Sequence, residues 1–546
     1  MSDKPIEVSP LKHEISRRNL LVKAGQVGLG TMAGGALAGP AGAAVSRVAR
    51  NSAKTIPTGG TVTWALNQDP GEIAPFGGVL TATQWGNEVM YDSLLQWDSK
   101  LNLRTALATY EVISPTEIHW TIVPGRKFSN GDPVTAADLQ YSFQLQSTDP
   151  SPGSISALGQ FPNIDVANSG PISTYKYKMA LSHADARVFG YLAWTRYSGI
   201  VPNGMYQSLN PAVSGIGTGP FMLNGDYQPG VGINYVKNPY FWQPGLPYLD
   251  GINYQIITQD STAIAALISG DLDGATISNA NALTLVGHPD LTVLHNLTAA
   301  FRELQMTIKT GDEKPWWDVR VRQAVSLAIN RKNIIDNVYA GYGQYTGHVA
   351  AGYGPWPLTT TQLATYETQD VAKAKSLMSA AGFGSGFSDT MTTFSTPSDF
   401  PAMAQLIASD LSAIGIDVSI VPQPSATFAA NNGTGSFDWD LTSRGMRGDV
   451  DGYVAEFNPS DAVYDIWFSG FKNTEMWRLV GDGRIQLDET KRLPIYHDLD
   501  NVLMTQLLEV PIVSVESFQV VSNKLKNMYV SFTGSNPGLR YVYLES

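Results

Sequence analysis

Residues 401–421 read PAMAQLIASDLSAIGIDVSIV, and this stretch decides the fold class. Its first part repeats apolar side chains at helical spacing: Met403, Ile407, Leu411 and Ile414. Such spacing predicts an amphipathic helix over residues 401–414. Gly415 can end this helix, because glycine adopts the left-handed C-cap conformation without strain. Residues 416–421 then alternate apolar and polar side chains, which is typical of a strand. A helix, a glycine and a strand in this order predict an α/β architecture.

Two further helices are predicted before this unit. Residues 319–329 carry apolar side chains on one face, and Asp318 is a suitable N-cap. Residues 370–381 show the same pattern and are followed by Gly382, which can end a helix. Nearer the N-terminus, residues 60–66 alternate as a first strand. A chain of 546 residues is long enough for two or three domains.

The composition excludes several classes of function. The formal net charge of −12 disfavours nucleic acid as a partner, because phosphate binding needs a basic face. The chain has no cysteine, which excludes disulfides, thiol nucleophiles and zinc–thiolate sites. The sequence contains no zinc-protease, serine-hydrolase or phosphate-loop motif. Asp438 and Asp440 come nearest to paired catalytic carboxylates, but their place in an apolar strand favours a structural role. We therefore expect no enzyme activity, no cofactor and no metal site.

Residues 1–43 have the layout of an export signal. The pair Arg17–Arg18 precedes a weakly apolar stretch and then small residues, as in a twin-arginine signal. We predict cleavage after Ala43, followed by a flexible leader over residues 44–58. A transmembrane anchor is the alternative, but the apolar stretch is short and rich in glycine. Without cysteine the mature chain cannot carry an N-terminal lipid, so we expect it in the periplasm, or outside the cell where the host has no outer membrane.

Several motifs follow one another along the rest of the chain. They are HWTIVPGRKFSNGDPVTAAD at 119–138, GTGPFML at 217–223, NPYFW at 238–242, SGDLD at 269–273 and DVRVRQAVSLAINR at 318–331. Together with residues 493–521 they resemble the extracytoplasmic solute-binding proteins of family 5, the peptide, dipeptide and nickel-binding type of cluster C. The resemblance covers nearly the whole mature chain. Turns and scaffold helices carry these motifs, so they indicate the family and not the ligand.

The resemblance implies a two-lobed periplasmic-binding-protein fold, type II-like and α/β, with a hinge between the lobes. The expected segments are a first lobe at 59–298 with an extra subdomain inserted at about 89–212, a second lobe at 299–511, and a return to the first lobe at 512–546. Two strands would cross between the lobes, near residues 298–305 and 510–515.

The resemblance also implies a function, that of the solute-binding subunit of an ABC importer. Such a subunit captures a small solute between its lobes by hinge closure and delivers it to the membrane permease subunits. We expect a short peptide as the ligand and a monomeric protein. An oligosaccharide, an opine or another organic solute is the alternative ligand on the same scaffold. An exported hydrolase or a sensor is the alternative of a different class, although the sequence shows no nucleophile paired with a base.

Candidate ligand-binding residues lie in SRGMRGDVDGY, residues 443–453. In peptide-binding relatives, an aspartate of the second lobe pairs with the ammonium group of the ligand. The resemblance places Asp449 at that position, with Asp451 as the second choice. Arg444 and Arg447 could hold a carboxylate through bidentate contacts. The alternative is a local turn in which Arg447, Asp449 and Asp451 form ion pairs with one another.

Four aromatic residues could also line a cleft between the lobes, because flat amphipathic side chains suit a binding pocket. They are Trp85, Trp194, Tyr197 and Trp439. The alternative for each of them is a place in a hydrophobic core.

Overall fold

The structure is a computed structural model that describes residues 56–76, 81–148, 163–533 and 537–545. The predicted signal at 1–43 and most of the predicted leader at 44–58 lie outside the described residues. Within the described ranges, no helix is both long enough and apolar enough to cross a membrane.

The secondary structure follows the α/β pattern expected from the sequence. The strands are β1 Thr61–Leu66, β2 Leu95–Trp97, β3 Leu103–Thr105, β4 Ala108–Ser114, β5 Glu117–Ile122, β6 Ile164–Ser173, β7 Lys176–Leu181, β8 Phe221–Leu223, β9 Gly232–Lys237, β10 Gly251–Ile256, β11 Gly274–Thr276, β12 Leu291–Met306, β13 Phe387–Phe394, β14 Ile416–Gln423, β15 Trp439–Arg444, β16 Glu509–Ser522, β17 Leu525–Lys526 and β18 Tyr543–Leu544. The helices are α1 Thr81–Met90, α2 Ala136–Thr148, α3 Arg187–Tyr191, α4 Thr195–Ser198, α5 Met205–Ser208, α6 Asp260–Ser269, α7 Asn279–Leu283, α8 Val319–Ala328, α9 Arg331–Val338, α10 Thr360–Glu367, α11 Val371–Ala380, α12 Asp399–Ser412, α13 Ser425–Thr434, α14 Ala462–Trp467, α15 Thr474–Ile485 and α16 Glu489–Gln506. Short 3-10 turns lie at Pro315–Trp317, Val450–Tyr453, Ala455–Phe457 and Pro537–Arg540.

One large mixed sheet runs through the molecule in the order β14-β13-β15-β12-β16-β11-β1-β10-β9-β8. The long strands β12 and β16 are antiparallel neighbours at its centre. The end of β12, residues 301–306, pairs with β15, whereas the end of β16, residues 519–521, pairs with β11. These two strands therefore carry the chain between two halves of the sheet. We call the β11-to-β8 half the first lobe and the β14-to-β15 half the second lobe; the lobe boundaries expected from the sequence stay predictions.

The first lobe is built around β1, which lies between the parallel strands β10 and β11. Trp64 on β1 is fully buried, and its ring occupies the space that a side chain at Gly274 of β11 would need. A Cβ added to Gly274 would lie 2.2 Å from that ring. Glycine is therefore required at this position, because it alone lets the backbone approach the indole so closely.

A separate antiparallel sheet, in the order β4-β5-β7-β6, forms the centre of a further unit. We call this unit, β2 to β7 with α2 to α5, the inserted subdomain. The alternating sequence of β5 places Ile118, Trp120 and Ile122 on its buried face. They pack with Phe143 of α2 and Tyr177 of β7 in a core of their own. A unit with its own apolar core can keep its shape while it moves relative to its neighbours.

The second lobe confirms the local predictions made from the sequence. The helix predicted at 401–414 is α12, and the strand predicted at 416–421 is β14. Gly415 between them has a φ of +85°, the left-handed conformation that ends a helix. Asp318 caps α8 as predicted, because its carboxylate accepts a 2.8 Å hydrogen bond from the Arg320 backbone N–H.

Candidate functional site

A cavity of about 420 Å³ lies between the inserted subdomain and the second lobe. Segments 101–112 and 186–190 form its subdomain wall, and segments 353–356, 448–449 and 487–493 form its second-lobe wall. Six aromatic side chains line it: Trp97, Tyr110, Phe189, Tyr353, Trp356 and Phe532. We call it the aromatic cavity. A concave, largely apolar space with a few polar groups is the usual form of a small-molecule site.

Asp449 lies in the wall of the aromatic cavity, but its carboxylate is already bound. Arg492 donates from Nη2 to Oδ1 at 2.6 Å and from Nη1 to Oδ2 at 2.7 Å. The guanidinium is fixed in turn, because Nε donates to the Gly483 carbonyl at 2.8 Å. It also lies over the rings of Trp356 and Tyr496, at 5.5 and 5.0 Å. Asp449 therefore presents a charge-compensated surface to the cavity.

Asp451 belongs to a charged network that joins the second lobe to the inserted subdomain. Its Oδ2 accepts a hydrogen bond from Arg484 at 3.0 Å, and its Oδ1 accepts one from the Tyr496 hydroxyl at 3.1 Å. Arg187 of α3 approaches Oδ2 to 3.9 Å, although its closest partner is Asp185 at 2.6 Å. Burial raises the pKa of Asp451, and the two guanidinium groups oppose that rise. The network links the two units beside the cavity.

The backbones of the two units touch at the edge of the aromatic cavity. Gly190 in α3 faces Gly448, which follows β15, and both residues line the cavity. A Cβ added to Gly190 would lie 2.1 Å from the carbonyl oxygen of Gly448. The absence of a side chain at Gly190 thus sets how closely the inserted subdomain approaches the second lobe.

Arg444, the last residue of β15, is buried among three glutamates. It donates to Glu303 at 3.1 Å, to both carboxylate oxygens of Glu509 at 2.7 Å, and to Glu456. Burial raises the pKa of Glu456 to about 7 and that of Glu509 well above its ordinary value. One guanidinium cannot balance three buried carboxylates, so the cluster retains protons near neutral pH. Arg444 is committed to this cluster and lines neither of the two cavities described here.

A second cavity, of about 320 Å³, adjoins the aromatic cavity. Trp97, Leu101 and Phe532 line both spaces, and the Trp97 and Phe532 rings meet edge to face at 5.1 Å. Its first-lobe wall is charged, with Arg540 Nη1 3.0 Å from Asp92 Oδ1. We call it the neighbouring cavity. Apolar side chains separate it from the aromatic cavity.

The four aromatic residues selected from the sequence lie largely in cores. Trp439 is fully buried and packs edge to face on Trp316 at 5.4 Å, and Trp85 is buried in the first lobe. Tyr197 packs edge to face on Trp194 at 4.8 Å. Of the four, Trp194 lines the neighbouring cavity, and none lines the aromatic cavity. A role in ligand binding for these four residues stays a prediction.

The local ion-paired turn considered from the sequence does not form around Arg447. Its Nε donates to the Gly452 carbonyl at 3.1 Å, and within the described ranges it forms no ion pair with Asp449 or Asp451. Arg484 of α15 binds Asp451 and Arg492 of α16 binds Asp449 instead, and neither arginine is among the residues predicted from the sequence. Two acidic residues close together in a turn predict cationic partners elsewhere in the chain if the turn is buried, because buried carboxylates need cations.

The described part of the chain has no group of three or more His, Asp or Glu side chains arranged to hold a metal ion. The lack of a resident metal or cofactor in the working protein stays a prediction.

The family is indicated by comparison with known sequences. The family model described as bacterial extracellular solute-binding proteins, family 5 Middle, matches residues 102–475. The glutathione-binding protein GsiB of Escherichia coli (strain K12) is 25% identical over 369 residues, which is 66% of this chain and 68% of that protein.

Solved structures show the fold. AgaA of A. tumefaciens R10, in complex with agropinic acid, has a TM-score of 0.70 and 24% identity, and the match covers 89% of this chain and 99% of AgaA. DppA of Helicobacter pylori, in complex with the peptide STSA, has a TM-score of 0.70 and 22% identity, with 90% and 99% covered. The two-lobed α/β fold expected from the sequence is confirmed.

Proposed function

This chain belongs to the bacterial extracellular solute-binding proteins of family 5, and we propose that its own solute is a short peptide, bound in the aromatic cavity. Proteins of this family are the solute-binding subunits of ABC importers and act in the periplasm or outside the cell. The chain would deliver its solute to the permease subunits of such an importer.

The observation that carries the proposal is the position of the aromatic cavity. Its walls come from two units that are far apart along the chain, so a solute held there would contact both. The volume of about 420 Å³ lies within the usual range for small-molecule sites, which is roughly 300–1,000 Å³. Its aromatic walls suit apolar side chains, and its charged groups suit the polar ends of a peptide.

Hinge closure around the solute is supported by contacts between the same two units. Gly190 touches Gly448 at the cavity edge, and Arg187 approaches Asp451 beside it. Both contacts would be lost if the inserted subdomain moved away from the second lobe. Strands β12 and β16, which connect the lobes, are where such a motion would bend the chain.

Several finer properties are part of the same proposal. The protein would act as a monomer without catalysing a reaction on its solute. It would be exported by a twin-arginine signal at residues 1–43 and would remain free of lipid. Asp449 would form part of the ligand-binding wall together with Arg492, and Trp194 would line a space next to the ligand.

Mass spectrometry of the mature protein purified from its natural host tests the proposal. The protein is measured first in its native state and then after denaturation. We expect a mass excess in the native state and release of a peptide on denaturation. A released sugar or opine would refute the peptide assignment and leave solute binding intact. An empty protein that no peptide or sugar stabilises against thermal unfolding would contradict solute binding itself.

A further inference from the structure

The aromatic cavity is lined by more acidic than basic side chains. Three carboxylates line it, those of Asp449, Asp488 and Glu489, but only one cationic side chain, that of Arg492. The wall of the cavity is therefore acidic overall. An acidic wall favours a cationic ligand, because charges of one sign focus the opposite charge in a cleft.

Two of the three carboxylates are already engaged by the protein. Both oxygens of Asp449 accept hydrogen bonds from Arg492, at 2.6 and 2.7 Å. Oδ1 of Asp488 caps α16 by accepting hydrogen bonds from the Thr490 backbone N–H at 3.0 Å and from the Thr490 hydroxyl at 2.7 Å. Its Oδ2 lies 3.7 Å from Lys491 Nζ. Neither carboxylate needs a ligand to complete its bonding.

Glu489 is different, because its carboxylate has no hydrogen bond or ion pair with any residue that the structure describes. It is the first residue of α16 and lies at the solvent-accessible rim of the cavity. Partial burial raises its pKa, and its charge adds to the rise in the pKa of Tyr110 across the cavity. The charge of Arg492 opposes that rise, but Arg492 binds Asp449 through both of its Nη groups, so the Glu489 carboxylate can still bind a cation.

The aromatic walls favour the same kind of ligand. Six aromatic rings surround the space, and the electron-rich faces of such rings attract ammonium and guanidinium groups. The same rings provide apolar surface for a hydrophobic side chain.

We propose that Glu489 binds the cationic group of the solute and that the aromatic cavity holds its apolar part. The solute class is then a molecule that combines an ammonium or guanidinium group with an apolar side chain. This inference rests on the proposed function, because it names the chemistry of the ligand in the same cavity. In this arrangement Glu489 binds the cationic group of the solute, and Asp449 keeps its ion pair with Arg492.

Three probes that share a blocked Phe-X backbone and carry a positive, a neutral or a negative second side chain test the inference. They are N-acetyl-Phe-Lys-amide, N-acetyl-Phe-Gln-amide and N-acetyl-Phe-Glu-amide, titrated calorimetrically at pH 8, which lies well above the ordinary pKa of a glutamate and below that of a lysine. We expect the wild-type protein to bind the lysine probe about 10-fold more tightly than the glutamine probe, as a charge-assisted hydrogen bond predicts. The glutamate probe should bind most weakly.

Substitutions at Glu489 should change the order of the probes. Glu489→Gln should abolish the preference for the lysine probe, and Glu489→Lys should reverse it in favour of the glutamate probe. Glu475→Gln is the matched control, because Glu475 occupies the first turn of α15 and lines neither cavity. The control should keep the wild-type order. A structural effect of Glu489→Gln would weaken all three probes alike and leave their ratio unchanged.

Each other outcome is decisive. Equal binding of the three probes by the wild-type protein, or an unchanged ratio in Glu489→Gln, would overturn the inference and leave the proposed function standing. Failure of all three probes to bind a protein that releases a natural solute on denaturation would also overturn it. If the protein carries no solute and binds no probe, the proposed function itself fails.

Discussion

Gly190→Ala should weaken solute binding by preventing the inserted subdomain from reaching the second lobe. The added Cβ would lie 2.1 Å from the Gly448 carbonyl oxygen, whereas ordinary contacts begin at 3.4 Å. The obstacle is backbone, so it cannot rotate away, and the two units must separate by about 1 Å. Overpacking of this kind costs about 1–3 kcal/mol. If closure accompanies binding, that cost corresponds to about a 5- to 150-fold loss of affinity.

Calorimetric titration with the solute released from the wild-type protein measures the loss. Gly481→Ala is the matched control, because Gly481 lies within helix α15 and a Cβ there meets nothing within 4 Å. Each substitution replaces a helical glycine and, while the two units are apart, should leave the protein as stable as the wild type, or stabilise it by up to about 1 kcal/mol. Only Gly190→Ala should lose affinity. Wild-type affinity in Gly190→Ala would show that the contact with Gly448 is absent from the solute-bound state.

Three further predictions concern other parts of the structure. Burial raises the folded-state pKa of Glu456 to about 7, so folding favours the protonated form of this side chain. The free energy of unfolding should therefore fall as pH rises from about 4.5 to about 7. Glu456→Gln removes the titrating group and should make that fall shallower. Urea unfolding at several pH values measures this slope, and an unchanged slope would count against protonation of the cluster. Arg492→Met should lower the free energy of unfolding by about 3 kcal/mol, because it leaves Asp449 buried without a cation. Adding Asp449→Asn to Arg492→Met should restore much of the lost free energy of unfolding in the same urea assay. If it restores none, the broken Arg492–Asp449 ion pair is not the cause of the loss. Trp356→Ala should weaken solute binding about 10-fold, because it removes an aromatic side chain from the wall of the aromatic cavity. Trp477→Ala is the control and should not weaken binding, because Trp477 lies outside both cavities. Equal effects of the two substitutions in a calorimetric titration would exclude a specific role for Trp356.

The local elements were predictable because neighbouring residues determine them. The spacing of apolar residues in 401–414 and the glycine after it are sufficient to specify α12, its end and the start of β14. Asp318 could be identified as the cap of α8 for the same reason, since the hydrogen bond it accepts comes from two residues along the chain. The order of family motifs then indicated the two-lobed arrangement.

The candidate site was harder to predict, because distant segments form it. Asp449 was found, but its partner Arg492 lies in another helix, and nothing in the local sequence joins them. Among the tryptophans, composition cannot distinguish a wall residue from a core residue. Trp439 lies on β15, which has a strand on each side, and is fully buried, whereas Trp356 lies in a loop at the cavity. The difference depends on tertiary packing and not on the residue type.

We propose that a solute binds in the aromatic cavity and bridges the inserted subdomain and the second lobe. A crystal structure of the protein purified with its natural solute tests it most directly. We expect electron density for the solute among Trp97, Tyr110 and Trp356, with its cationic group at Glu489 and with Gly190 against Gly448. Density for the solute outside the aromatic cavity, or a bound solute that contacts one of the two units alone, would contradict it.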